Sequence, residues 1–369
     1  MGESKSPQAD AWTIPRANNS MLKLLRSLIP APGRDQQAND PGAEALAPPS
    51  EVSAPGVGSF LFSSHLSLEG GFPIPDWTAA QTWVETIPEP AEQASAWTRL
   101  ERAWLEHLQL ALGPAYRLHE NKDSFVLSTL EPHVARATLD FMSKTLQRIA
   151  RTLDGITEIS PWGKDILIVF DDEDSYYRYV SHYYPEDGEF AASGGMYIHA
   201  GCGHFLTVKS DLHAIEPIIA HEMTHSCLSH LPIPAWLNEG LAVNTEQRLV
   251  PRGAAALTPQ QMHQKHCSFW GDAEMQEFWS GKSFLRNDDG NMLSYDLARI
   301  LVSQLSADWP SFRAFVLDAD FTDGGAAAAM EHLGMELGTV VSTLLEQGSG
   351  LDRAPAPSRW NEVPERGAF

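Results

Sequence analysis

Apolar positions along this chain fall into two periods. Trp97, Leu100, Trp104, Leu105, Leu108 and Leu112 recur every three or four residues, which predicts a helix over 91–112 that Gly113-Pro114 ends. The same period in Val134, Ala137, Leu139, Phe141, Met142, Leu146, Ile149 and Leu153 predicts a helix over 132–154. Asp165 to Phe170 is instead a short, almost unbroken apolar run, the pattern of a strand covered on both faces. Ser124 to Ser128 reads as another strand and 171–183 as a tyrosine-rich helix. Residues 194–208 read as two strand-like pieces turning at Gly201-Cys202-Gly203. Later, 252–292 reads as irregular, and 293–306, 310–317 and 325–347 read as helical. The order of elements predicts an α+β fold with a small mixed sheet and an α-helical second half.

Composition divides the chain further. Residues 1–20 are polar without periodicity, Met21 to Ile29 is a short basic amphipathic patch, and 30–58 is rich in Pro, Ala, Gly and Asp. Such stretches bury too little apolar surface to offset chain entropy. The expected organisation is therefore a largely disordered segment over 1–70 and a linker with a helical cap over 71–114. The functional domain follows over 115–350, and a disordered tail over 351–369. The net charge of −22 argues against nucleic acid or an anionic membrane as the main partner. No run of about eighteen apolar residues predicts a membrane span, and the first residues lack a Sec-type signal pattern, so a cytoplasmic protein is expected. Cys202, Cys227 and Cys267 are odd in number and widely spaced, which fits reduced thiols rather than a disulfide framework. Nothing in the sequence fixes the oligomeric state.

Candidate chemistry concentrates in 212–242. His221-Glu222-Met223-Thr224-His225 sits on a predicted helix carrying Ile215, Ile218, Ile219, Met223, Cys227 and Leu228 as an apolar stripe. Positions i and i+4 share a helical face, so His221 and His225 can present two imidazoles to one metal ion. Glu222 is rotated by about 100° from His221, which puts its carboxylate beside that ion rather than on it. Pro232 and Pro234 end the helix, and Pro234-Ala235-Trp236-Leu237-Asn238-Glu239-Gly240-Leu241-Ala242 starts a second. If that helix runs back beside the first, Glu239 adds a carboxylate to the two imidazoles. Two histidines, one carboxylate and an open fourth position form the ligand set of a catalytic zinc site.

The H-E-M-T-H and P-A-W-L-N-E-G-L-A segments resemble the gluzincin branch of zinc metallopeptidases, the peptidase MA-like superfamily. The close match covers about thirty residues, with a looser likeness in element order over 115–347. The resemblance implies a thermolysin-like domain in which a sheet edge borders the cleft beside the H-E-x-x-H helix. It implies Zn²⁺ held by His221, His225 and Glu239, and Glu222 as general base. Tyr295, near the start of a helix after the third ligand, is the candidate second donor to an oxyanion, ahead of His230 and His266. The implied partner is a peptide or protein substrate, paired with the Gly194–Ile198 or the His204–Val208 strand. Tyr197 stands where the aminopeptidases of this superfamily carry a glutamate in G-x-M-E-N, so endopeptidase action is the expectation. The alternative from another class is a zinc-binding interaction module that does not turn over.

Overall fold

The computed structural model describes residues 47–183, 195–251, 257–346 and 353–360. Its centre is a five-stranded mixed sheet. Four short strands come first, β1 (Glu51–Ala54), β2 (Gly58–Leu61), β3 (Leu66–Glu69) and β4 (Phe72–Pro75), followed by helices α1 (Trp77–Glu85) and α2 (Pro90–Leu112). The sheet and its crossovers are β5 (Arg117–Glu120), β6 (Ser124–Ser128), α3 (Pro132–Thr152), β7 (Asp165–Phe170), α4 (Glu173–Tyr183), β8 (Gly195–Ile198) and β9 (His204–Val208). The helical half is α5 (Leu212–Leu228), α6 (Ala235–Leu249), α7 (Pro259–Phe269), α8 (Asp272–Trp279), α9 (Asp289–Leu305), α10 (Trp309–Asp318) and α11 (Leu337–Leu344).

Spatial order in the sheet is β5-β6-β7-β9-β8, with β6-β7 and β7-β9 parallel and the two outer pairs antiparallel. Successive side chains of a strand point to opposite faces, and both faces are covered. Val126, Leu167, Val169 and Phe205 pack with Met142, Ile219 and Met223 of α3 and α5. Phe125, Leu127, Ile166, Ile168 and Phe170 face the other way, onto Leu100, Trp104 and Leu108 of α2. That two-sided cover is why β6 and β7 read as continuous apolar runs. The α+β expectation holds. Among the described residues no helix is long and apolar enough to cross a membrane, and the three cysteines are free.

Four expectations need correction. Of the segment expected to be disordered, 47–70 forms the β1–β2 hairpin, one helical turn and β3, burying Val52, Phe60 and Phe62 against the α2 layer; residues 1–46 lie outside the described residues. The 71–114 stretch is no linker, because α2 supplies one of the two cores and Trp104 Nε1 donates to the Pro73 carbonyl at 3.0 Å. Part of the expected C-terminal tail is packed, with Trp360 and Arg353 buried and Trp279 Nε1 donating to the Arg353 carbonyl at 2.8 Å. Lastly, 252–292 is not irregular where described. It contains α7, which a Thr258–Gln261 capping box starts, and α8.

Buried ionisable groups in the α2 core set a pH dependence. Glu101 on α2 is 3 % exposed, and burial pushes its carboxyl up to about 8. The folded state then holds a proton that the unfolded chain releases near pH 4.5, so this contribution is full in acid and is lost as pH rises through about 8. Wild-type stability, followed by urea unfolding, is expected to fall by a few kcal/mol between pH 6 and 9, on the order set by 1.4 kcal/mol per pH unit per proton. The Glu101→Gln variant should show a shallower fall, the remainder coming from Asp165, which burial pushes up to about 7. An equal slope in both proteins would show that Glu101 does not carry it.

Candidate metal centre

The two metal-site helices pack as an antiparallel pair because the chain turns sharply between them. Asp211 caps the start of α5, its side chain accepting from the Ala214 N–H at 3.0 Å. Leu231 to Pro234 make the turn, and Pro234 sits at the cap of α6. Trp236, fully buried, anchors α6 by donating its indole N–H to the Gly324 carbonyl at 3.0 Å. Gly240 lies where a Cβ would stand 2.6 Å from the Ala298 carbonyl oxygen, so glycine here lets α6 close onto α9. The same contact brings the Tyr295 end of α9 to the residue next to Gly240, Glu239.

His221, His225 and Glu239 converge. Glu239 Oε2 is 3.2 Å from His221 Nε2 and 3.5 Å from His225 Nε2, and all three donor atoms lie within 4.8 Å of one another. Ligands about 2.1 Å from a tetrahedral ion stand about 3.4 Å apart, so these spacings fit zinc. The opposite ring nitrogens are already committed. His221 Nδ1 faces Glu246 Oε2 at 3.2 Å, and His225 Nδ1 faces Asn238 Oδ1 at 3.0 Å. Both oxygens accept, so each Nδ1 carries a proton, and each Nε2 is the nitrogen left to ligate an ion once any proton it shares with Glu239 is displaced. The donor set, its spacing and its outer partners therefore suit a divalent cation with affinity for imidazole and carboxylate.

The electrostatics of the cluster follow from its burial and from the close approach of its acids and imidazoles. Burial opposes charge on His221, but its hydrogen bonds to Glu239 and Glu246 prevail and push it up to about 10. Burial would raise Glu239, yet the flanking imidazoles hold it well below the usual carboxylate range. Glu222 is raised, because burial outweighs the two neighbouring histidines. A carboxylate moved towards neutral pH is a better proton acceptor and donor than one at its ordinary value. The Tyr197 backbone N–H is turned towards Glu222, so the outer strand of the sheet borders the base.

Of the two strands expected to border the cleft, β8 is the edge, whereas β9 is enclosed between β7 and β8. Tyr295 is half-buried on α9, its ring centroid 6.4 Å from that of His221 and edge-on to Phe284 at 5.2 Å. Burial and the Glu239 and Glu222 charges raise its phenol well above the ordinary value, so it stays a proton donor. The other histidine candidates lie elsewhere. His266 is buried with Nε2 on Asp296 at 2.9 Å and Nδ1 accepting from Trp270 at 2.8 Å, and His230 is exposed after α5.

Sequence reasoning missed Glu246, although its spacing of seven from Glu239 puts both on one face of α6. Its role yields a prediction. The Glu246→Ala variant should bind zinc about 10–100-fold more weakly while staying folded, as measured by competition with a chromogenic chelator. Unchanged affinity would show that His221 needs no such support. Compared with known proteins, the chain matches no family model, no curated protein and no solved structure.

Proposed function

We propose that this chain is a zinc-dependent metallopeptidase of the gluzincin type, with a thermolysin-like catalytic domain, acting as an endopeptidase. The observation that carries the reading is the convergence of His221, His225 and Glu239, both imidazoles already oriented from behind. Glu222 beside them, outside the ligand set, is the second part of the pattern. When bound, zinc would lower the pKa of water towards 7 and polarise a substrate carbonyl.

The chain's own residues supply the rest. Glu222, outside the ligand set and buried beside it, accepts a proton from the attacking water and returns it to the leaving amine. The β8 edge offers backbone groups to an extended peptide. Tyr197, where an aminopeptidase of this type would carry an acid, leaves a free amino terminus no counter-charge from that position. Tyr295 keeps its phenol proton and offers it as a hydrogen bond to the developing oxyanion.

The test is metal analysis together with cleavage of a broad peptide library. About one zinc per chain, hydrolysis abolished by a chelator and restored by zinc, is the expected result. Full zinc with no cleavage of any library member would favour the interaction module instead. Tyr295→Phe should lower kcat by about 10²-fold with KM little changed. An unaltered kcat would remove Tyr295 from the mechanism.

A further inference from the structure

Tyr197 has a second setting. Its ring forms one wall of a cavity of about 570 Å³ lined by α2, by residues 158–165 and by the C-terminal end of α5. The indoles of Trp97 and Trp162, with ring centroids 5.9 Å apart, make another wall, and the carboxyls of Glu101 and Asp165 face the same space. Ser226 and Ser229 of the α5 end lie beside the Tyr197 hydroxyl. Glu222, Ser226 and Ser229 follow at i, i+4 and i+7, so the proposed base and this cavity share one helical face. One helical turn is about 5.4 Å and an extended peptide advances about 3.3 Å per residue. A peptide lying at Glu222 therefore reaches the cavity within about three residues of the bond being cut.

The chemistry of the cavity is that of a cation receptor. Glu101 is almost wholly buried, yet its partners are neutral: the Lys164 backbone N–H donates to Oε2 at 3.0 Å, the Cys202 thiol lies 3.7 Å from Oε1, and the Trp97 indole N–H also donates to the carboxyl. Among the described residues no cationic side chain pairs with Glu101 or Asp165. The Lys164 ammonium is drawn instead to the Asn121 carbonyl at 2.6 Å and to Glu120. Gly163, at φ +76°, lets the 158–165 segment close onto the carboxylate, because a Cβ there would stand 2.0 Å from Glu101 Oε1. Burial raises both carboxyls, Glu101 to about 8 and Asp165 to about 7, a cost that an entering positive charge would relieve. Among the described residues, neither acid belongs to a cluster whose donor atoms converge on a point ion. A long side chain, apolar along its stem and charged at its tip, matches indole walls with carboxylates among them.

We propose that this cavity is the specificity pocket of the site and takes a lysine or arginine side chain of the substrate. The proposal rests on the peptidase reading for the word substrate, but the pocket is testable without turnover. Two blocked hexapeptides, one with a single arginine and one with citrulline in its place, are titrated by calorimetry into full-length Glu222→Gln protein. The arginine peptide should bind about tenfold or more tightly, and adding Glu101→Gln should bring the ratio close to one. Circular dichroism checks that the double variant is folded. Trp162→Ala, in a partly exposed loop, serves as a second variant expected to narrow the ratio. In parallel, wild-type protein is given a library with lysine, arginine or norleucine at each position, and cleavage should favour a basic residue within three positions of the cut. Equal binding of the two hexapeptides, or a ratio that survives Glu101→Gln, overturns the pocket. Selective binding without any cleavage upholds the pocket and counts against the peptidase reading alone.

Discussion

Replacing Glu222 by glutamine is expected to lower peptide hydrolysis by about 10²–10⁴-fold while zinc remains bound. The residue is 8 % exposed and next in sequence to His221, but it is not among the three converging donors. Glutamine keeps the volume and the hydrogen-bonding oxygen and removes only the ability to take a proton. The loss should therefore fall on kcat, with KM and metal content near those of wild type. A variant retaining wild-type kcat would show that some other group moves the proton. A variant that lost zinc as well would show that Glu222 supports the ligands rather than the reaction.

The second large effect is expected at Glu239. Its Oε2 is the atom shared by both histidines, at 3.2 and 3.5 Å. Glu239→Gln replaces a charged ligand with a neutral amide, leaving two imidazoles and no anionic ligand on the ion. Zinc affinity should drop by more than the 10–100-fold expected for an outer partner such as Glu246, and hydrolysis should disappear with it. Equilibrium dialysis against zinc reads the first and the peptide library reads the second. Retention of stoichiometric zinc under dialysis would overturn the assignment of Glu239 as a ligand.

The convergence of His221, His225 and Glu239 was legible because its geometry is local. Coordination needs donors on one helical face and a short return, and His221, His225 and Glu239 satisfy both within consecutive helices. The central strands were legible for a related reason, since cover on both faces leaves few polar positions in Ile166 to Phe170. What escaped was structure decided from a distance. The β1–β4 strands hold Gly, Pro and Ser among a few large apolar residues, and only contact with α2 makes Phe60, Phe62 and Phe72 core. Helix α7 is polar, with one fully buried residue, His266, so its apolar period is faint, although Thr258 and Gln261 announced its start. That the Asn238 oxygen lies on His225 Nδ1 follows only from the packing of α6 against α5. The Glu101 cavity draws on α2, the 158–165 loop and α5, and no single window of sequence contains it.

The turn at Leu231–Pro234 has a thermodynamic consequence. Because it brings the ligands together from neighbouring helices, an ion bound there closes only a short loop of chain, and the entropy it withdraws from the unfolded ensemble is correspondingly small. Two separate apolar cores, one on each side of the sheet, hold the remainder without its help. The demetallated protein should thus keep its architecture and accept zinc again without refolding, so that catalytic competence and folded mass can be uncoupled in the same molecule.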